Sequence, residues 1–149
     1  MPDDWRRNLL TTPAEVRVLL QGLSRVAVLG MRPASQSHKA AFYVPQALQD
    51  MGLTIVPVVV HSHPDTEILG EAVYRRLQDV PGQLDLVDVF RRAEDIPAHV
   101  DDIIARAPRA VWFQSGIRND TAAEQLARAG IQVVQDRCLM VDYRAIARR

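Results

Sequence analysis

Apolar positions along the chain fall into two alternating rhythms. Short runs are apolar at nearly every position: Val26-Ala27-Val28-Leu29, Leu53 to Val60, Leu84 to Phe90, Ala110 to Phe113 and Ile131 to Val134. Such runs suit strands buried on both faces, as in a parallel sheet. Between them apolar residues return at helical spacing. Ala40, Ala41, Val44, Ala47 and Leu48 predict a helix over about 37–51, closed by Gly52 and kinked at Pro45. Val100, Ile103, Ile104 and Ala107 predict a second, capped by Asp95 and stopped by Pro108. Ala122, Ala123, Leu126 and Ala129 predict a third, capped by Asn119, and a last short helix follows Asp136-Arg137-Cys138 to Ile146.

Before the first strand, Thr12-Pro13-Ala14-Glu15 carries a helix start: Thr12 caps, Pro13 takes the first helical position and Glu15 completes a capping box. Val16, Leu19 and Leu20 give that helix, about 12–22, one apolar stripe. The pattern loosens from His61 to Gln83, where a turn near Ile68-Leu69-Gly70, a very short strand at Ala72-Val73-Tyr74 and one helical turn at Leu77–Val80 are expected.

Strands alternating with helices specify a single α/β domain over 1–149, with its core at about 23–142. Right-handed crossovers make it a three-layer, Rossmann-like, doubly wound and mainly parallel sheet, with 3-2-1-4-5-6 as the expected strand order. Ligands bind such sheets beyond the carboxyl ends of the strands, where the order reverses. That point lies between two basic loops, one from Gly30 to Lys39 and one at Phe90-Arg91-Arg92.

The first loop, Gly30-Met31-Arg32-Pro33-Ala34-Ser35-Gln36-Ser37-His38-Lys39, leads into a helix, whose N-terminal N–H groups and partial positive charge suit a phosphate. Ser35 and Ser37 are expected to cap that helix, with Arg32, His38 and Lys39 beside it. The chain has 18 basic and 18 acidic residues, so two basic loops facing one cleft are a local feature of a neutral protein. That balance argues against a nucleic-acid surface and a membrane-hugging one. No run approaches the roughly 20 apolar residues of a spanning helix, and Met1-Pro2-Asp3-Asp4-Trp5 is no signal peptide. With Cys138 as the one cysteine, a cytoplasmic location is expected.

An NAD site is disfavoured. Gly30 is the lone glycine after the first strand, and no acid closes the second, which ends Val59-Val60-His61.

Here the chain resembles the small, stand-alone coenzyme A-binding proteins, which are similar to the nucleotide-binding domain of the succinyl-CoA synthetase alpha subunit. The resemblance rests on Val26-Ala27-Val28-Leu29-Gly30, Tyr43-Val44-Pro45-Gln46-Ala47-Leu48 and Ile55-Val56-Pro57-Val58. It continues through Ile68-Leu69-Gly70-Glu71, Val87-Asp88-Val89-Phe90-Arg91-Arg92, Val111-Trp112-Phe113-Gln114-Ser115-Gly116 and Asp136-Arg137-Cys138.

It implies non-catalytic binding of CoA or acyl-CoA, with the phosphates held by Gly30 to Lys39, Met31 included. Phe90, Arg91 and Arg92 would border the pyrophosphate and pantetheine, and Gln114 to Gly116 the pantetheine arm. The loop after the second strand departs from the family's Pro-Val-Asn-Pro and following basic residue. It reads Pro57-Val58-Val59-Val60-His61, which leaves His61 or His63, only partly charged at neutral pH, for the adenosine 3′-phosphate. The ligase portions that carry a phosphohistidine or bind ATP are outside the resemblance.

Rival chemistry is thinner. His61, His63 and Asp65 sit close enough to touch a metal but form no second ligand cluster, so solvated loop histidines are expected. Cys138 beside Arg137 could act on a CoA thiol or thioester, though no histidine lies near it in sequence. His99 is expected on a solvated helix face, Trp112 and Phe113 in the core, and Asp136 as a helix cap or a partner of Arg137.

Overall fold

The computed structural model describes residues 4–60 and 64–147. Five parallel strands form the central sheet: β1 (Arg25–Leu29), β2 (Thr54–Val58), β5 (Leu86–Val89), β6 (Ala110–Phe113) and β7 (Gln132–Val134). Between β2 and β5 lies a small antiparallel hairpin, β3 (Glu67–Ile68) and β4 (Glu71–Ala72).

Successive residues along β5 and β6 point to opposite faces, and both faces are apolar. Val26, Val28, Ile55, Leu86 and Trp112 pack on one side with α1 (Pro13–Gln21), α2 (Ala40–Asp50) and α5 (Leu139–Ala147). Ala27, Val56, Val87, Val111 and Phe113 pack on the other with α3 (Val100–Arg106) and α4 (Asp120–Arg128). The layers are therefore helix, sheet and helix, a Rossmann-like α/β fold.

The sheet order is β2-β1-β5-β6-β7. The third strand of the expected 3-2-1-4-5-6 order shrinks to a single parallel bridge from Tyr74 to Val58. Tyr74 N–H donates to the Pro57 carbonyl and Val59 N–H to the Tyr74 carbonyl, both at 2.9 Å. The preceding chain folds back on itself as the β3–β4 hairpin, and among the described residues of this segment Tyr74 alone bridges to β2. The order still reverses between β1 and β5, where the site was expected.

Local signals largely hold. Thr12 accepts from Glu15 N–H at 3.2 Å while Glu15 accepts from Thr12 N–H at 3.0 Å, and Pro13 opens α1. Asn119 accepts from Ala122 N–H at 3.0 Å and caps α4. Three expectations fail. Helix α2 begins at Ala40 rather than near Ser37, because Pro33 leads first into a 3-10 turn, Ala34–Gln36, and Lys39 is extended. Ser35 therefore lies inside that turn and Ser37 ends it, and neither caps α2. Asp95 does not cap α3 either; it lies inside a 3-10 segment, Ala93–His99, that precedes it.

Candidate functional site

At the carboxyl ends of the strands, the loops after β1 and β5 touch. Gly30 has φ +91°, and a Cβ there would stand 2.5 Å from the Phe90 carbonyl oxygen and 3.2 Å from Cδ of Arg91. Only a glycine permits both the left-handed backbone and that approach. The loop's first N–H groups are committed to the fold: Gly30 and Met31 donate to the Val58 carbonyl at 2.8 and 3.3 Å, and Arg32 to the Ala41 carbonyl at 3.1 Å. Those of Ala34, Ser35, Ala40 and Ala41 have no partner among the described residues.

Beside these loops opens a cavity of about 540 Å³. Lining it are Phe90, Arg91 and Arg92 from the β5 loop with Gln114 and Ser115 from the β6 loop. Its walls are Ala40, Ala41, Tyr43 and Val44 at the start of α2, then Ile117, and Cys138, Met140 and Val141 at the start of α5. Another hollow, about 460 Å³, adjoins Trp5, Arg118, Asp120 and Asp136 at the β7 edge. Its charges are spent internally, since Arg118 pairs with Asp120 at 3.1 Å and Asp136 accepts from Gly116 N–H at 2.6 Å.

The two loop arginines differ. The Arg91 side chain is 17% exposed; its Nε donates to Nε2 of His99 at 3.3 Å and its guanidinium lies 3.6 Å from Asp95. The Arg92 side chain is 76% exposed and pairs with Asp95 at 3.0 Å. His99 is thus half-buried and bonded, not solvated as expected. Burial first, and the Arg91 charge second, hold its pKa below the usual imidazole value, so at neutral pH it keeps the lone pair that Arg91 uses.

Phe90, Arg91, Arg92 and Gln114 of the expected set come together in the cavity. Arg32, Ser35, Ser37, His38 and Lys39 lie outside its wall, on the exposed or half-exposed loop that enters α2. Gly30 is buried under Phe90, and Met31, 1% exposed, is part of the core, so its side chain anchors the loop rather than facing solvent. Gly116 lies just off the wall, bonded to Asp136. His61, and His63 with it, fall outside the described residues.

Arg137 is occupied: it grips Asp142 through two bonds, at 2.5 and 3.0 Å, and Asp142 holds its pKa above the ordinary arginine value. It neither pairs with Asp136 nor is free to attract a Cys138 thiolate. Trp112 and Phe113 are core residues, fully buried. Tyr43, Ile117, Met140 and Val141 were not singled out beforehand. The one available signal was an apolar residue on a helix's outer face, as Val141 is.

One group was missed altogether. Asp88 is fully buried in the middle of β5, between Val28 and Trp112 on the side of α1, α2 and α5. Among the described residues neither carboxyl oxygen has a hydrogen-bond partner, and burial raises its pKa well above the usual carboxylate value. An acid inside an otherwise unbroken apolar strand was the sequence signal.

Comparison with known proteins places these features in company. A sequence-family model described as a CoA binding domain matches residues 24–144. The chain is 34% identical over 132 residues to the uncharacterized protein YneT of Bacillus subtilis (strain 168), across 87% of this chain and 93% of that protein. A Thermus thermophilus structure, cell-free ID.343, is 34% identical with a TM-score of 0.82, covering 91% of this chain and 99% of that one. A hypothetical protein from Pyrococcus horikoshii OT3 is 26% identical with a TM-score of 0.81, covering 91% and 92%. The dinucleotide-forming acetyl-coenzyme A synthetase 1 of Ca. Korarchaeum cryptofilum shares the fold at 18% identity and a TM-score of 0.62, over 74% of this chain and 25% of its own.

Proposed function

Because the chain belongs to the CoA-binding domain family, we propose that it binds coenzyme A, free or acylated, without catalysing a reaction, in the cleft at the carboxyl ends of β1, β5, β6 and β7. One observation carries this reading: a cavity of about 540 Å³ at the reversal of strand order, lined by Arg91, Arg92 and the start of α2. A ligand with an anionic end and a long neutral arm matches that division. The phosphates would meet the N–H groups of Ala34, Ser35, Ala40 and Ala41, helped by Arg32, His38 and Lys39. Phe90, Arg91 and Arg92 would border the pyrophosphate and the start of the pantetheine arm, which would run on past Gln114. His61 would take the adenosine end. A cytoplasmic location suits a chain with one cysteine, and among the described residues no helix is long and apolar enough to cross a membrane.

The cavity wall holds no histidine or carboxylate to serve as a base for Cys138, which favours binding over catalysis. A second reading has one supporting observation, the place of Cys138 in that wall. There its thiolate would attack CoA disulfide, breaking the S–S bond, forming a mixed disulfide and releasing one CoA thiolate. A mass gain of one CoA less two hydrogens, absent in Cys138→Ser, would establish it; an unmodified mass would dismiss it.

The main test is a thermal-shift panel of CoA, acetyl-CoA, NAD, NADH and ATP. A site-bound ligand at 100 times its dissociation constant adds ~2.7 kcal/mol, or roughly 5–10 °C for a domain of this size. The CoA compounds should give that shift and the others should not. A shift with NADH and none with CoA would contradict the reading.

A further inference from the structure

Gln114 follows the last residue of β6 and is 5% exposed. Its Oε1 accepts from the N–H of Leu139, the first residue of α5, at 3.1 Å. That N–H is a donor with no intrahelical partner, so the atom facing it must be the amide oxygen. The amide nitrogen is thereby turned the other way. It has no hydrogen-bond partner among the described residues. The enclosed, unpartnered side-chain polar atoms found there are both on Asp88, so this nitrogen is not sealed in. Gln114 is a lining residue of the cavity beside the β1 and β5 loops.

Apart from Arg91, Arg92 and Ser115, the rest of the lining is largely apolar: Val44, Ile117 and Met140, with Tyr43 and Val141 at 43% and 56% exposure. Those two are among the four large exposed hydrophobics of the described residues, and both belong to this cavity. Helices α2 and α5 pack on each other, so the apolar wall continues from the arginines to the surface.

A neutral donor in an apolar sleeve fits a carbonyl carried on a hydrocarbon chain. A free thiol would leave the amide N–H unpaired and the sleeve unfilled. We propose that the cavity receives the acyl group of a CoA thioester, with the thioester carbonyl accepting from Nε2 of Gln114. The inference rests on the CoA reading above and goes further, because it ranks acyl-CoA over CoA.

Calorimetric titration of the full chain with CoA, hexanoyl-CoA and the thioether S-hexyl-CoA tests it. Each methylene buried is worth about fourfold in affinity. Hexanoyl-CoA should therefore bind at least about tenfold more tightly than CoA. S-hexyl-CoA, lacking the carbonyl, should lose about fivefold against hexanoyl-CoA. Val141→Asp, at the exposed end of the apolar lining, should bring the ratio of hexanoyl-CoA to CoA affinity down to about one. Equal binding of CoA and hexanoyl-CoA, or an acyl advantage untouched by both the thioether and Val141→Asp, overturns the acyl assignment while CoA binding stands. Absence of binding by all three ligands up to millimolar concentration overturns the CoA reading itself.

Discussion

The backbone N–H of Arg32 donates to the carbonyl of Ala41 at 3.1 Å, the carbonyl that Pro45 leaves without its helical donor. Proline at that position removes the N–H that would normally bond four residues back. The freed acceptor lies at the start of α2, and the loop leaving β1 docks onto it. A residue unfavourable inside a helix thus ties the candidate phosphate loop to the helix that follows.

Replacing Pro45 should expose this coupling. Pro→Ala in a helix interior ordinarily gains about 3 kcal/mol. Here the new N–H competes with Arg32 for Ala41, so the gain should fall short of that by about 1 kcal/mol. The Arg32 amide should exchange with solvent faster. Urea unfolding and amide exchange measure both; unchanged protection of Arg32 would refute the coupling.

Asp88 should make stability depend on pH in an unusual direction. Its native pKa is raised by burial, so above about pH 4 the unfolded chain gives up this proton while the native protein keeps it. The native state then binds more protons, and this group's contribution to stability falls as pH rises, by about 1.4 kcal/mol per unit until Asp88 ionises in the native protein. Asp88→Asn removes that slope. Denaturation of both proteins from pH 4 upward should give curves that diverge in favour of the variant; parallel curves would contradict the buried, unpartnered acid.

The two arginines of the β5 loop should separate in binding. Arg91 is packed against Gly30 and held by His99 and Asp95, so little freedom remains to lose when a phosphate arrives. Arg92 is exposed, and its ion pair with Asp95 is of the kind that contributes little. A charge-assisted bond to phosphate is worth roughly 1.5–3 kcal/mol. Arg91→Ala should therefore weaken CoA binding about tenfold or more, and Arg92→Ala by no more than about threefold. Titration of each variant decides it, and the reverse order would move the anion away from Gly30.

Much of this was legible in the chain because each signal was local. Thr12-Pro13-Ala14-Glu15 folds as its capping chemistry dictates, and the apolar runs become the five strands. Arg91 and Gln114 were found because a parallel sheet sends residues just after its strands to one edge. What escaped depended on the third dimension. Ser35 and Ser37 lost their capping role to Pro33 and a 3-10 turn, a choice that helical periodicity does not reveal. Tyr43 and Val141 sit on separate helices, and only the packing of α2 on α5 brings them to one cavity. His99 needed Arg91 to reach it through space.

The most direct test is isothermal titration of the protein with CoA and, separately, with NADH. Cavity, arginines and family membership together predict saturable heat with CoA well below millimolar concentration and a weaker or absent response to NADH. Preference for NADH, or no heat with CoA up to millimolar concentration, would contradict the account.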